Sequence, residues 1–119
     1  MRERNEGEIC ISFYNQVQQL IRVNYFPKKF VIFHIANEQK TNIAYTLHLK
    51  KMGLLKGIPD YCCIAETGVV CFLEFKRNPK CKLTPAQKAF KEQCIEFNIP
   101  YVTVYNETEA IDFLRKVLE

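Results

Sequence analysis

The stretch "GIPDYCCIAETGVVCFLEFKRN", residues 57–78, sets two acids and a lysine, Asp60, Glu74 and Lys76, among residues that otherwise read as core. Charged side chains are almost never fully buried without a partner, so their presence there needs a physical reason. Asp60–Ile64 and Val69–Lys76 read as two strands of a hairpin. Only Glu66, Thr67 and Gly68 need lie between Ala65 and Val69, and Gly68 suits the left-handed conformation of such a turn. A turn centred on Thr67 sets Ala65 opposite Val69, Cys62 opposite Phe72 and Asp60 opposite Glu74; a bulge at Gly68 would shift this register. Directly opposed residues have Cβ atoms about 4.5–5.5 Å apart, and like charges in that position repel.

Side chains alternate along a strand, so Glu74 and Lys76 share one face with Phe72, while Leu73 and Phe75 take the other. Two carboxylates held together beside apolar residues must share a proton or hold a cation. Hard divalent ions suit that oxygen environment, with water and substrate phosphate completing the shell. Lys76 would stand about 6–7 Å along the strand from Glu74, within reach of a water or phosphate at such an ion. The plainer alternative is a structural Glu74–Lys76 ion pair with Asp60 opening a turn after Pro59.

Outward from the hairpin, residues 8–24 carry Ile9, Phe13, Val17, Leu20 and Ile21 at helical spacing, which predicts a first helix. Residues 30–35, FVIFHI, predict a strand, and residues 41–52 allow a short helix bearing Lys50 and Lys51. Thr84-Pro85-Ala86-Gln87 announces a helix to about Phe97, burying Ala86, Phe90 and Cys94, with Gln87 placed to complete a capping box. Residues 99–105 predict a strand, and Asn106 with Glu109 caps a last helix burying Ala110, Ile111, Leu114 and Val117. The order α-β-β-β-α-β-α implies an α/β fold: a central mixed β-sheet flanked by helices, its last strand reached through a helical crossover.

The chain's 119 residues, 48% of them hydrophobic, suit one domain spanning 1–119. The charged start MRERNEGE and the lack of any long apolar run predict a soluble protein of the cytoplasm. Six cysteines without a CxxC pair, most among Ile, Val and Phe, read as reduced core thiols. Net charge is +4, but residues 40–91 hold ten Lys/Arg against three acids, a local +7, leaving −3 elsewhere. Such an excess around the acid pair suits a polyanion such as nucleic acid; a solvated lysine-rich surface is the alternative. His34 is expected at the site margin and His48 on an exposed helix face, neither with a zinc partner at ligand spacing.

Pro59-Asp60 followed by Glu74-Phe75-Lys76 resembles the PD-(D/E)xK nuclease signature. The wider string FHIANE (33–38), KMGLLKGIPD (51–60), FLEFKR (72–77) and LTPAQ (83–87) resembles the virus-type replication-repair nuclease, or VRR-NUC, family over about residues 8–118. The resemblance implies a restriction-endonuclease-like core and a stand-alone member of the kind phages and prophages carry. It implies a Mg²⁺- or Mn²⁺-dependent deoxyribonuclease acting on branched DNA, with a four-way junction or a flap as the substrate. It further implies metal ligation by Asp60, Glu74 and the Phe75 carbonyl, with Lys76 at the attacking water and Gln87 supporting the site. The family adds a first-helix glutamate, for which Glu8 is chosen here over Glu6. Lys51, Lys56, Arg77, Lys80, Lys82 and Lys88 are the expected DNA contacts, with Lys50 and Lys91 as further candidates. Symmetric cutting of a junction implies a homodimer. A nuclease directed at ends or flaps, a non-catalytic nucleic-acid-binding module and an enzyme of small phosphate compounds are the competing readings.

Overall fold

The computed structural model describes residues 2–36 and 42–119. Eight elements follow in chain order: α1 (Glu6–Arg22), β1 (Phe30–His34), α2 (Ile43–Lys51), β2 (Tyr61–Ala65), β3 (Val70–Phe75), α3 (Pro85–Glu96), β4 (Tyr101–Val104) and α4 (Glu107–Val117). The expected order thus gains α2 between the first two strands. That helix buries none of its residues, so no apolar stripe marks it in the sequence. Asn37 and Glu38 of the FHIANE string lie outside the described residues.

The sheet runs β1-β2-β3-β4, antiparallel between the first three strands and parallel between β3 and β4. The hairpin closes in the register its turn length dictates. Cys62 faces Phe72 and Ile64 faces Val70, without a shift, and Gly68 holds a φ of 91° while its N–H donates to the Ala65 carbonyl at 2.9 Å. The β3-α3-β4 crossover then brings β4 alongside in parallel, Glu74 beside Thr103.

Alternation divides the sheet into two unlike faces. Ile32, Tyr61, Cys63, Leu73, Phe75 and Val104 join Ile9, Phe13 and Val17 of α1 and Ala110, Ile111 and Leu114 of α4 in the core. Phe13 stacks at 5.0 Å from Phe75 and edge-on at 5.2 Å from Tyr61. Of the expected α1 stripe only Ile21 turns outward. On the opposite face α3 packs over β3, its Phe90 ring edge-on to Phe72 at 5.1 Å. The cysteines are all free; Cys62, Cys63, Cys71 and Cys94 are buried, whereas Cys10 and Cys81 are only partly covered. No helix among the described residues is long and apolar enough to cross a membrane.

The helix starts are built as their sequences specify. Thr84 and Gln87 form a reciprocal capping box with Pro85 in the first turn, and Asn106 accepts from the Glu109 N–H. Asn5 and Glu8 form a second capping box at the start of α1. A buried polar cluster ties α1 to α4: Glu107 accepts two hydrogen bonds from Arg4, at 2.6 and 2.7 Å, and one from Ser12 at 2.7 Å. The Arg4 pairing, reinforced by Ser12, holds the Glu107 carboxyl down at about 2. Because the folded pKa lies below the unfolded one, this stabilisation is complete above pH 4.5 and is lost as pH falls toward about 2. Glu107→Gln is therefore expected to cost about 1.5 kcal/mol at pH 7, the low end for hydrogen bonds to a charged group because Arg4 is open to solvent. In denaturant melts its deficit against the parent should narrow below pH 4.5; a deficit independent of pH would show that shape, not charge, holds the cluster.

Candidate active site

Asp60 and Glu74 meet where the hairpin ends. The ladder ends with Tyr61 opposite Leu73; continued by one residue, its alternation from the hydrogen-bonded Ala65–Val69 pair sets Asp60 opposite Glu74 in a non-hydrogen-bonded position. Such pairs bring side chains closest. The carboxyls are near enough for a hydrogen bond between them. Asp60 is fixed from two sides: its Oδ2 accepts the Phe75 N–H at 2.7 Å, and its main-chain carbonyl accepts the Ile35 N–H at 2.8 Å.

One step further along the register, Pro59 falls opposite Phe75. A strand residue presents its N–H and C=O to the same neighbour, and the Phe75 N–H points to Asp60, so its carbonyl faces that side too. Proline has no N–H to donate to it. The buried Pro59 thus leaves that carbonyl as an oxygen donor beside the two acids.

Glu74 is 3% exposed and Lys76 is 9% exposed. Burial, followed by the Asp60 charge and the hydrogen bond to it, drives the Glu74 carboxyl up to about 9, against a smaller downward pull from Lys76. Among the described residues no carboxylate oxygen lies within 4.0 Å of Lys76 Nζ, so the structural ion pair considered from the sequence is not formed. No three or more His, Cys, Asp and Glu side chains cluster as a metal group among the described residues. Two carboxylates and a carbonyl fit a hard divalent cation that takes its remaining ligands from water and phosphate.

The first-helix acids separate clearly. Glu8 sits in the capping box with Asn5 and pairs with Arg2 through two hydrogen bonds of 2.7 and 2.8 Å, which lower its carboxyl to about 2. Its polar stripe turns to α4, where Ser12 meets Glu107 and Gln16 donates to Ser12. Glu6 instead borders a cleft with Asp60, and its charge is felt at Glu74. The signal that separates them is in the sequence: Asn5 three residues before Glu8 is itself a capping box.

Gln87 Oε1 accepts the Thr84 N–H at 2.9 Å, which leaves the amide NH₂ of Gln87 for any further role. Gly57 ties this helix start to the acids' loop: with φ at 83°, a Cβ there would lie 2.4 Å from the Ala86 carbonyl carbon. Lys56, next to it, is exposed, as are Arg77, Lys80 and Lys82 of the β3–α3 loop, Lys88 of α3, and Lys50 and Lys51 of α2. Arg77 reaches Glu3 at 3.7 Å, and Lys91 lies 5.9 Å over the Tyr101 ring. His34 stands edge-on to Tyr61 at 5.3 Å beside Asp60, and His48 is exposed on α2.

Sequence reasoning passed over Thr103 and Tyr101, which share Glu74's face. Burial raises the Tyr101 hydroxyl to about 12, and the nearby acids add to the shift. Thr103 Oγ1 is buried with no partner at hydrogen-bonding geometry among the described residues, although the Tyr101 hydroxyl is near enough to feel it. An orphaned buried hydroxyl costs about 1–3 kcal/mol, so Thr103→Val is expected to raise the stability of the metal-free protein, measured by denaturant melts. A loss of stability would mean that the hydroxyl has a partner.

No family model matches the sequence, and no curated protein matches it. Solved structures do. A "VRR_NUC domain" structure is 17% identical over 90% of this chain and 90% of its own, with a TM-score of 0.57. A "VRR_NUC domain protein" is 20% identical over 98% of this chain and 92% of its own, with a TM-score of 0.61. The mixed four-stranded sheet, its flanking helices and the hairpin that carries the acids are therefore the VRR_NUC domain fold.

Proposed function

We propose that this chain is a Mg²⁺- or Mn²⁺-dependent deoxyribonuclease that cuts branched DNA, the four-way junction foremost, and that it does so as a homodimer. The observation that carries this reading is the meeting of Asp60 and Glu74 beside a lysine that pairs with no carboxylate among the described residues. Two carboxyls brought together in a buried setting are relieved by a cation, and sites of that kind are where perturbed carboxyls serve catalysis. The shared VRR_NUC fold supports the nuclease class.

Asp60, Glu74 and the Phe75 carbonyl would hold the metal, which when bound supplies a more acidic water and neutralises charge on the phosphoryl group. Lys76 Nζ, held on the same strand face as Glu74, orients the attacking water and meets the phosphate's negative charge. Exposed lysines of the loops on either side of α3's start, Lys56, Lys80 and Lys82, with Lys88 on that helix, hold the backbone of the bound strand. Binding carried by such contacts weakens steeply with salt.

Labelled linear duplex, flap and four-way junction DNA, each incubated with Mg²⁺, Mn²⁺ or EDTA, test the proposal directly. Metal-dependent cleavage fastest on the junction is expected, with Asp60→Ala abolishing cutting while binding persists. No cleavage of any substrate with either metal would remove the enzyme reading and leave a binding module.

The acid pair makes a second prediction that needs no DNA. The unfolded chain releases the Glu74 proton near 4.5 while the folded, metal-free chain keeps it to about 9, so rising pH across that interval penalises the fold. Metal-free Glu74→Gln is expected to melt higher than the parent at pH 8, with the gap closing toward pH 4.5. Mg²⁺ or Mn²⁺ should raise the parent's melting temperature and leave that of the variant unchanged. Equal metal responses in the two proteins would separate Glu74 from the cation.

A further inference from the structure

A cleft of about 810 Å³ opens between the first half of α1 and strand β1, and Asp60 stands at its border. Its volume lies within the range of small-ligand pockets. Its walls are Tyr14, Ile32, His34 and Tyr61, with Asn15 and Glu6 contributing polar groups. Among the described residues no lysine or arginine lines it. The exposed lysines of the site instead flank the start of α3, on the other face of the sheet. A phosphate therefore has no counter-charge in the cleft, whereas a neutral, flat, partly polar ring has aromatic walls and an amide to meet it. Tyr14 is 39% exposed, so part of its ring is open to contact.

We infer that this cleft receives one unpaired base of the strand being cut, the base adjoining the phosphate at Asp60 and Glu74, and stacks it beside Tyr14 and His34. This rests on the nuclease reading for the position of the phosphate, and it deepens that reading by naming what makes the enzyme selective. A continuous duplex keeps its bases stacked and offers the cleft nothing. A flap, or a junction whose bases unstack at the crossover, offers a base at lower cost. The protein then recognises branching by one extruded base on the α1 side and by backbone phosphates on the α3 side.

The test uses the full-length protein with Ca²⁺ replacing the catalytic metal, so that bound strands stay whole. Two ligands are compared by fluorescence anisotropy: a blunt duplex and a flap with one unpaired thymidine at the branch, the latter also made with an abasic residue at that position. Tyr14→Ala is expected to weaken flap binding about tenfold or more, in the range known for losing one stacked base, and to leave duplex binding unchanged. Tyr14→Phe should restore it, and the abasic flap should bind parent and Tyr14→Ala equally. In ¹⁵N spectra, hexathymidylate should shift the amides of Tyr14, Asn15 and residues 32–36. Equal weakening of flap and duplex, indifference to Tyr14→Ala, or shifts confined to α3 and its preceding loop would each overturn the inference. So would concentration-dependent shifts at the same amides without DNA, which would assign the cleft to a second copy of the chain. Cleavage with Tyr14→Ala indifferent sinks the cleft and leaves the nuclease; cleft shifts in a protein that cuts nothing sink the nuclease and leave the cleft.

Discussion

The constraint on which the rest depends is the non-hydrogen-bonded pairing of Asp60 with Glu74. The register that sets Tyr61 opposite Leu73, continued by one residue, brings the two side chains together: strand alternation chooses the face, and the three-residue turn chooses the partner. Nothing in local propensity favours two acids there. The neighbouring contacts hold Asp60 in place instead, through the Phe75 N–H on its carboxyl and the Ile35 N–H on its carbonyl. The protein thus holds Asp60 beside Glu74 with one main-chain bond and one bond from a main-chain N–H to the carboxylate.

Glu107 shows that this is not the general treatment of buried acids in the chain. Both glutamates are buried, yet one is held at about 2 and the other at about 9. Glu107 receives three hydrogen bonds, two of them from a guanidinium, and clamps the amino-terminal arm to α1 and α4. Glu74 has a second carboxyl as its neighbour and an orphaned Thr103 hydroxyl on the adjacent strand. The first environment is complete in the free protein. In the second the carboxyl keeps its proton up to about 9, so burial and a like-charged neighbour, not a cationic partner, decide its state in the free protein.

Most of the architecture was legible in the sequence because strong local signals agreed with the fold. The hairpin register followed from the number of residues in one turn, and α3 and α4 from Thr84, Pro85 and Asn106. The elements that were hard to read lacked such agreement. Helix α2 has no buried side, so periodicity had nothing to register. Glu8 and Glu6 are two residues apart on one helix, and the choice turned on where that helix begins. Starting it at residue 8 left Glu8 pointing along a polar stripe. The Asn5 cap starts it at Glu6 and consumes Glu8 in capping and in an ion pair with Arg2. The partner of Thr103's hydroxyl, or its lack, depends on packing across β4 and no one-dimensional pattern reports it.

Gly57 shows how the two halves of the site are held at a fixed distance. Its φ of 83° is one that side chains disfavour, and its bare Cα lies against the Ala86 and Gln87 backbone at the start of α3. The loop that delivers Pro59 and Asp60 therefore rests directly on the helix that carries Lys88, with Lys56 at the point of contact. A side chain at this position would clash with backbone, which cannot rotate aside, so the loop or the helix start would have to shift. On the proposed nuclease reading, in-line chemistry tolerates little of that, since a displacement on the order of 1 Å can cost about a hundredfold in rate. The spacing between the acid pair and the basic surface is thus set by a residue with no side chain, and the sequence G-I-P-D reads as one device: a contact, a spacer, a missing donor and a carboxylate.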